Sequence, residues 1–180
     1  MPNAIVSVYD KTDLEFVGRT LESYGFKIFA TPGTLQFFEA KHIQVHPVEK
    51  YCMNPEGFTN YFSSLSFNTL VGVLSGETRK LNNFQIEKID VVIYNFVPSW
   101  KIVTELKDFN IRNVDLGGPA IVRAAAINYL KTIPIISPAQ YSLLEKLFDI
   151  DIAMRKKLAR DAFDYCSWYD QQISHLLQSL

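Results

Sequence analysis

The N-terminal part of the chain alternates continuous apolar runs with amphipathic segments, and this alternation constrains the fold more than any other feature. Residues 4–9, AIVSVY, read as a strand buried on both faces, because a half-buried strand would alternate apolar with polar. Asp10 to Asp13 form a turn able to cap a helix over 14–24. There Leu14, Val17, Leu21 and Tyr24 repeat at helical spacing, and Gly25 takes the usual place just past the end. A strand over 26–30 follows, then the tight loop Thr31-Pro32-Gly33-Thr34, a short helix over 35–40 and a third strand over 43–48. A β-α-β-α-β order of this kind requires crossover connections, and hence a parallel sheet with helices on its faces.

The rest of the chain extends the same plan. Residues 49–66 are rich in Asn, Ser and aromatics, with turn chemistry at Asn54-Pro55-Glu56-Gly57. Residues 69–74 read as a strand, 75–87 as a polar excursion or short helix, and 89–96, IDVVIYNF, as the plainest strand of all. Helices are predicted over 100–109 and 138–148, with a final strand over 133–136. Residues 152–180 form one or two long helices, amphipathic through Met154, Leu158, Phe163, Trp168, Ile173 and Leu176. The predicted fold class is α/β, a doubly wound three-layer sandwich with a mostly parallel sheet and long C-terminal helices. Residues 1–150 form the domain, and 151–180 a helical extension packed on it.

One stretch stands apart. Residues 115–128, DLGGPAIVRAAAIN, begin with an acid, turn through two glycines and enter a helix with Pro119 at its first position. Proline suits that position because its missing N–H would have no intrahelical partner there. The glycines let backbone approach whatever lies in front of the helix, and the free N–H groups and dipole favour an anion. The helix is apolar all round, with Arg123 its only charge, as expected of a buried helix, and Ile127 is read as part of that packing. The alternative is a tightly packed internal helix with no ligand.

Composition narrows the function classes. With 180 residues, 48% hydrophobic and 21% charged, the chain can bury a core and is neither fibrous nor disordered. A net charge of −1 with no basic run argues against a nucleic-acid surface. No apolar run reaches the ~18 residues of a membrane span, and the N-terminus has no signal-peptide pattern. Cys52 and Cys166 are read as free thiols in a reducing compartment, and His42, His46 and His175 form no metal-ligand spacing. A cytoplasmic protein without a metal is the expectation.

Open parallel sheets bind ligands where strands end. Ser7 and Lys11 follow the first strand, Thr31, Gly33 and Thr34 the second, and Asn95 the strand over 89–96; residues 115–118 add a wall. Hydroxyls, a lysine and glycine N–H groups at strand ends are what a phosphate needs.

These same segments resemble a known family. DLGGPAIVRAAAIN is similar to the D-I-G-G-P-[AS]-M-[VL]-R-A-A-A-K-N signature of the IMP cyclohydrolase domain, the first half of the bifunctional last enzyme of purine synthesis. SVYDKTDLEF resembles the family's S-V-[ST]-D-K-T-G-L-x-x-F, ATPGT its S-T-G-G-T, YNFVPS its N-L-Y-P-F, and RKKLARDAFDYCSWYDQQISHLL its C-terminal helix. The resemblance implies a methylglyoxal synthase-like fold with a phosphate pocket at the carboxyl ends of the strands. It also implies closure of 5-formamidoimidazole-4-carboxamide ribotide to IMP. In that reaction the amine attacks its own formyl carbon and water leaves, with no metal or organic cofactor.

Carried over residue by residue, the resemblance makes Ser7, Lys11, Thr31, Gly33 and Thr34 the phosphate side. Asn95, Gly117 and Gly118 line the base, and Asp115 is the catalytic acid. Pro32 replaces one loop glycine and removes an N–H donor. Tyr61, Ser63, Ser64 and Ser66 stand where the family has arginine, lysine, threonine and histidine; Val97 stands for its tyrosine and Ile127 for its lysine. Two readings follow. The chain is a cyclohydrolase in which Lys50, Lys101 or Arg123 is repositioned to supply the lost charge, or it is a non-catalytic relative that binds a purine nucleotide or a partner. The resemblance further implies a homodimer, and a transformylase supplied by a separate chain.

Overall fold

The computed structural model describes residues 1–53, 64–81, 84–98 and 114–178. The predicted helix over 100–109, the turn at Asn54 to Gly57, and Tyr61, Ser63 and Lys101 lie outside the described residues. Five strands make one parallel sheet: β1 (Asn3–Val8), β2 (Lys27–Ala30), β3 (His46–Pro47), β6 (Val91–Asn95) and β7 (Ile133–Ile135), in the order β3-β2-β1-β6-β7. All pairings are parallel, with Ile5 opposite both Phe29 and Val92. The chain winds outward from β1 to β3 on one side, then crosses back to β6 on the other. The two directions part between β1 and β6, where such folds open a ligand crevice.

Alternate strand residues feed two cores. Ile5, Phe29, Val92 and Tyr94 point to one, beneath α4 (Phe67–Ser75), α5 (Gly117–Ile127) and α6 (Ile152–Gln178). Ala4, Val6, Ile28 and Ile93 point to the other, covered by α1 (Leu14–Ser23), α2 (Pro32–Ala40) and the 3-10 segment Pro138–Asp149. This is the three-layer sandwich expected from the alternation. α1 buries Leu14, Val17 and Leu21, and Gly25 follows its end at φ 70°. α6 is one helix, and among the described residues no helix is long and apolar enough to cross a membrane.

Several expectations are corrected. Residues 69–74 are not a strand but part of α4: the Ser66 side chain caps it by accepting the Thr69 N–H at 3.0 Å, and Gly76 ends it at φ 62°. Residues 75–87 hold a hairpin, β4 (Arg79–Leu81) against antiparallel β5 (Phe84–Ile86). The Thr31 to Thr34 stretch is not a loop before a helix; α2 starts at Pro32 with Thr31 as its cap residue. Asp13 does not cap α1 through its side chain, since it sits at φ 54°; Asp10 Oδ1 takes the Thr12 N–H instead.

α5 begins at Gly117, so Pro119 lies at its third position, inside the first turn where proline is still tolerated. The third predicted strand shrinks to His46–Pro47. In α6 the buried residues are Leu158, Ala159, Ala162, Cys166 and Tyr169, whereas Phe163 and Trp168 are exposed. Ile127 is 65% exposed, not packed. It stands at the far end of α5, some ten residues and so ~15 Å along the axis from Gly117.

Candidate functional site

The carboxyl ends of β1, β2 and β6 and the start of α5 converge at one end of the sheet, and the polar side chains there form two groups. The first surrounds Lys11. Its ammonium bonds the Val8 carbonyl and, at 3.2 Å, the Thr34 hydroxyl, which also accepts the Val8 N–H at 3.2 Å. Burial pushes the Lys11 pKa below its ordinary value, partly offset by Asp10. A desolvated ammonium of this kind gains from a bound anion. Thr34 is fully buried and its N–H bonds the Thr31 carbonyl, so it braces Lys11 and the end of β1. Pro32 contributes no N–H, and Gly33, at the exposed tip, has open space where a side chain would be.

Asn95 holds the turn after β1. Its Oδ1 accepts the N–H groups of Tyr9 at 2.6 Å and Asp10 at 2.8 Å, which fixes the path of the chain into Lys11. Tyr141, from the 3-10 segment, brings a buried hydroxyl near Asn95 and Asp10.

The second group lies on the α5 side of the sheet. The Thr31 hydroxyl donates to Ser7 Oγ at 2.9 Å. The Tyr94 hydroxyl donates to Ser64 Oγ, with Ser7 and Asp115 also close enough to influence it. Burial pushes the Tyr94 phenol far above its ordinary range, so it stays a neutral donor. Ser64 is held from below: its carbonyl accepts the Thr69 hydroxyl at 2.7 Å and the Cys52 thiol at 3.3 Å.

Asp115 closes this group. Its Oδ1 accepts the Gly118 N–H at 2.7 Å and so caps α5. Burial raises its pKa, while the N–H groups of Gly118 and Gly117 oppose the shift. Of the two glycines, Gly118 is constrained by its neighbours and Gly117 is not. A side chain at Gly118 would stand 2.5 Å from Asp115 Oδ2 and 2.9 Å from the Phe96 ring, and one at Gly117 would face Leu65 and Ser64. The site therefore offers a buried acid beside hydroxyls from Ser7, Thr31, Tyr94 and Ser64.

Two tyrosines of α6 anchor this end of the sheet. The Asp115 N–H donates to the Tyr169 hydroxyl at 3.0 Å, and the Phe96 N–H to the Tyr165 hydroxyl at 2.9 Å. Phe96 stacks on Tyr165 with ring centroids 4.5 Å apart. Sequence reasoning missed Tyr94, Tyr165 and Tyr169 as site residues. The spacing of Tyr165 and Tyr169, four apart on one helix face, was the available signal.

Of the cations proposed to replace the lost lysines, Arg123 and Lys50 are placed elsewhere, and Lys101 lies outside the described residues. Arg123 is ion-paired with Asp170 of α6 at 2.5 Å. Lys50 lines a separate cavity beside Lys27 and His46. Among the described residues, no lysine or arginine acts on the Asp115 carboxyl.

Residues 13–114 match the MGS-like domain family. The bifunctional purine biosynthesis protein PurH of Acetivibrio thermocellus is 33% identical over 187 residues, covering 97% of this chain and 36% of that protein. PurH of Buchnera aphidicola is 34% identical over 182 residues, covering 96% of this chain and 34% of that one. The chain thus spans about a third of the length of these relatives. A crystal structure of ForH superposes with a TM-score of 0.80 at 24% identity over 98% of both chains, a likeness of fold.

Proposed function

Because this chain belongs to the MGS-like domain family, we propose that the end of the sheet between β1 and β6 is a purine ribonucleotide site, and that its reaction is the IMP cyclohydrolase ring closure. The phosphate sits against Ser7, Lys11, Thr31 and the Gly33 N–H, with Thr34 bracing the lysine. The base lies toward Asn95, Asp115, Gly117 and Gly118. One observation supports this reading most: a desolvated lysine and a buried acid whose pKa burial raises flank the same strand ends.

The chemistry required is modest. The attacking nitrogen bonds to the formyl carbon of the same molecule and passes one proton to the former carbonyl oxygen; that hydroxyl then leaves as water with the proton of the formamide nitrogen, and a C=N bond closes the ring. Holding the two ends together supplies much of the rate. Asp115, with its raised pKa, is suited to take a proton from the nitrogen and return one to the departing oxygen. Tyr94 and Ser64 lie beside it as neutral donors for the developing oxyanion.

A second reading is favoured by one specific feature. With Arg123 tied to Asp170 and Lys50 in another cavity, the described part of the site has no cation for the oxyanion. On this reading the chain binds the nucleotide without turning it over. Loss of a preorganised donor costs ~10²–10³ in rate. The formylated ribotide incubated with purified protein and followed by the absorbance of the closed purine separates the two. Turnover well above the solution rate supports ring closure. Calorimetric binding of inosine or xanthosine monophosphate without acceleration supports the second reading, and failure of both ends the nucleotide proposal.

Self-association into a homodimer is part of the same proposal, supported by the exposed Phe67 and Leu74 of α4 and by Leu116, Ile127 and Leu130 around α5. Sedimentation equilibrium tests it. The formylated substrate is supplied by a transformylase, which the bifunctional relatives lead us to propose as a partner activity.

A further inference from the structure

A cavity of about 520 Å³ opens at the β2–β3 edge of the sheet, beneath α3 (Glu49–Cys52) and beside β5. None of the residues assigned to the nucleotide site lines it. Among the described residues three basic side chains face it, Lys27, His46 and Lys50, against the single acid Glu87. Lys27 lies 3.6 Å from Glu87 and 5.0 Å from the centre of the Phe29 ring, so its charge is already shared. Lys50 is exposed and has no acid partner among the described residues. The cavity therefore carries surplus positive charge.

Its other wall is aromatic. Phe29 and Tyr51 pack with ring centroids 5.0 Å apart, and the His46 ring lies 5.8 Å from Phe29. Burial, then the charges of Lys27 and Lys50, hold the His46 pKa below the ordinary imidazole value. Positive potential over an aromatic wall, in a volume typical of small-molecule sites, selects a flat ligand with a negative end.

We propose that this cavity is a second ligand site that takes a small aromatic anion, a ring bearing a phosphate or carboxylate. The anionic group lies between Lys50, Lys27 and His46, and the ring rests on Phe29 and Tyr51.

The test uses the full chain and the His46 ring resonances as reporter. Phenyl phosphate and benzoate are titrated separately, with inorganic phosphate as the ringless control. Saturable shifts of His46 are expected with at least one aromatic anion, and the tighter of the two identifies the headgroup. Inorganic phosphate should bind several-fold more weakly. Lys50→Ala and Lys50→Gln, at an exposed position that leaves the fold intact, should each weaken binding about tenfold, as loss of a charge-assisted hydrogen bond does. Lys11→Ala should leave it unchanged, which separates this site from the proposed nucleotide site. The proposal is overturned if neither aromatic anion moves His46 at millimolar concentration, if both Lys50 variants bind as the parent does, or if inorganic phosphate binds as tightly as phenyl phosphate.

Discussion

The backbone N–H of Asp115 donates to the hydroxyl of Tyr169 at 3.0 Å, so the acid that opens α5 is fixed from the C-terminal helix. Tyr169 is buried beneath it, and burial pushes its phenol up to about 12, which keeps the hydroxyl neutral. The helix that looked like an appendage is thus part of the support of the candidate site.

Tyr169→Phe preserves the ring contact with Phe96 and removes only this acceptor. A half-buried N–H left unpaired costs about 1–3 kcal/mol, so a chain of this size should lose about 2–10 °C in Tm. Thermal unfolding checks this, and nucleotide affinity should fall with it as Asp115 becomes less well placed. An unchanged Tm would mean that water replaces the phenol at no cost.

Asp115→Asn separates capping from proton transfer. Asparagine caps a helix as well as aspartate does, so the start of α5 should persist while ring closure is lost. The pH dependence has a definite sign. Burial raises the Asp115 pKa above its ordinary value near 3.8, so the native state holds that proton more tightly than the unfolded chain. Its contribution to stability is full below 3.8 and is lost as pH rises through the raised value. The variant has no such loss, so denaturant midpoints should match the parent's in acid and exceed them near neutral pH. A variant that stays less stable than the parent at neutral pH would overturn the assignment.

Lys11 and Thr34 should separate in the same binding assay. Lys11→Ala removes the charge and should weaken nucleoside monophosphate binding about 10- to 100-fold, as loss of a charged hydrogen bond does. Thr34→Val keeps the lysine but deletes the hydroxyl that accepts from both Lys11 and the Val8 N–H. Its buried position makes stability fall as well, by about 1–3 kcal/mol. Calorimetry with inosine monophosphate reads the first effect and urea unfolding the second. Equal affinity in the parent and Lys11→Ala would remove the lysine from the phosphate site.

Legibility followed the strength of the local signal. β1 and β6 were readable because their apolar runs admit little but buried strands, and Gly25 was readable because its turn needs positive φ. α4 was misread because Val71-Gly72-Val73-Leu74 favours a strand locally, although Ser66 and Gly76 bracket the segment as caps. The buried face of α6 was right at Leu158 and misread at Phe163 and Trp168, for a different reason. Large aromatics drew attention to Phe163 and Trp168, while the contact with α5 is made through Ala159, Ala162 and Cys166, whose small size lets two helices approach. The site residues on strand ends were legible as types. Their partners were not, since Tyr94 sits within an apolar run and only the fold reveals what its hydroxyl meets.

Tyr94 gives the sharpest test of the second polar group. It is 2% exposed, and its hydroxyl is the donor to Ser64, which stands where the resemblance has a threonine. Tyr94→Phe keeps the ring volume in the core, so the change isolates one buried hydrogen bond worth about 0.5–1.5 kcal/mol. Tm should fall by a few degrees. If the phenol also aids the developing oxyanion, turnover should fall by more than the stability change explains, about 10²-fold, with KM little altered because the phosphate side is untouched. Tyr94→Leu should destabilise further, since it leaves a cavity as well as an unpaired serine. A Tyr94→Phe protein with parental turnover and a lowered Tm would assign the phenol to structure alone, and the oxyanion donor would then be sought in Ser64, since the Gly117 and Gly118 N–H groups already serve the Asp115 carboxyl.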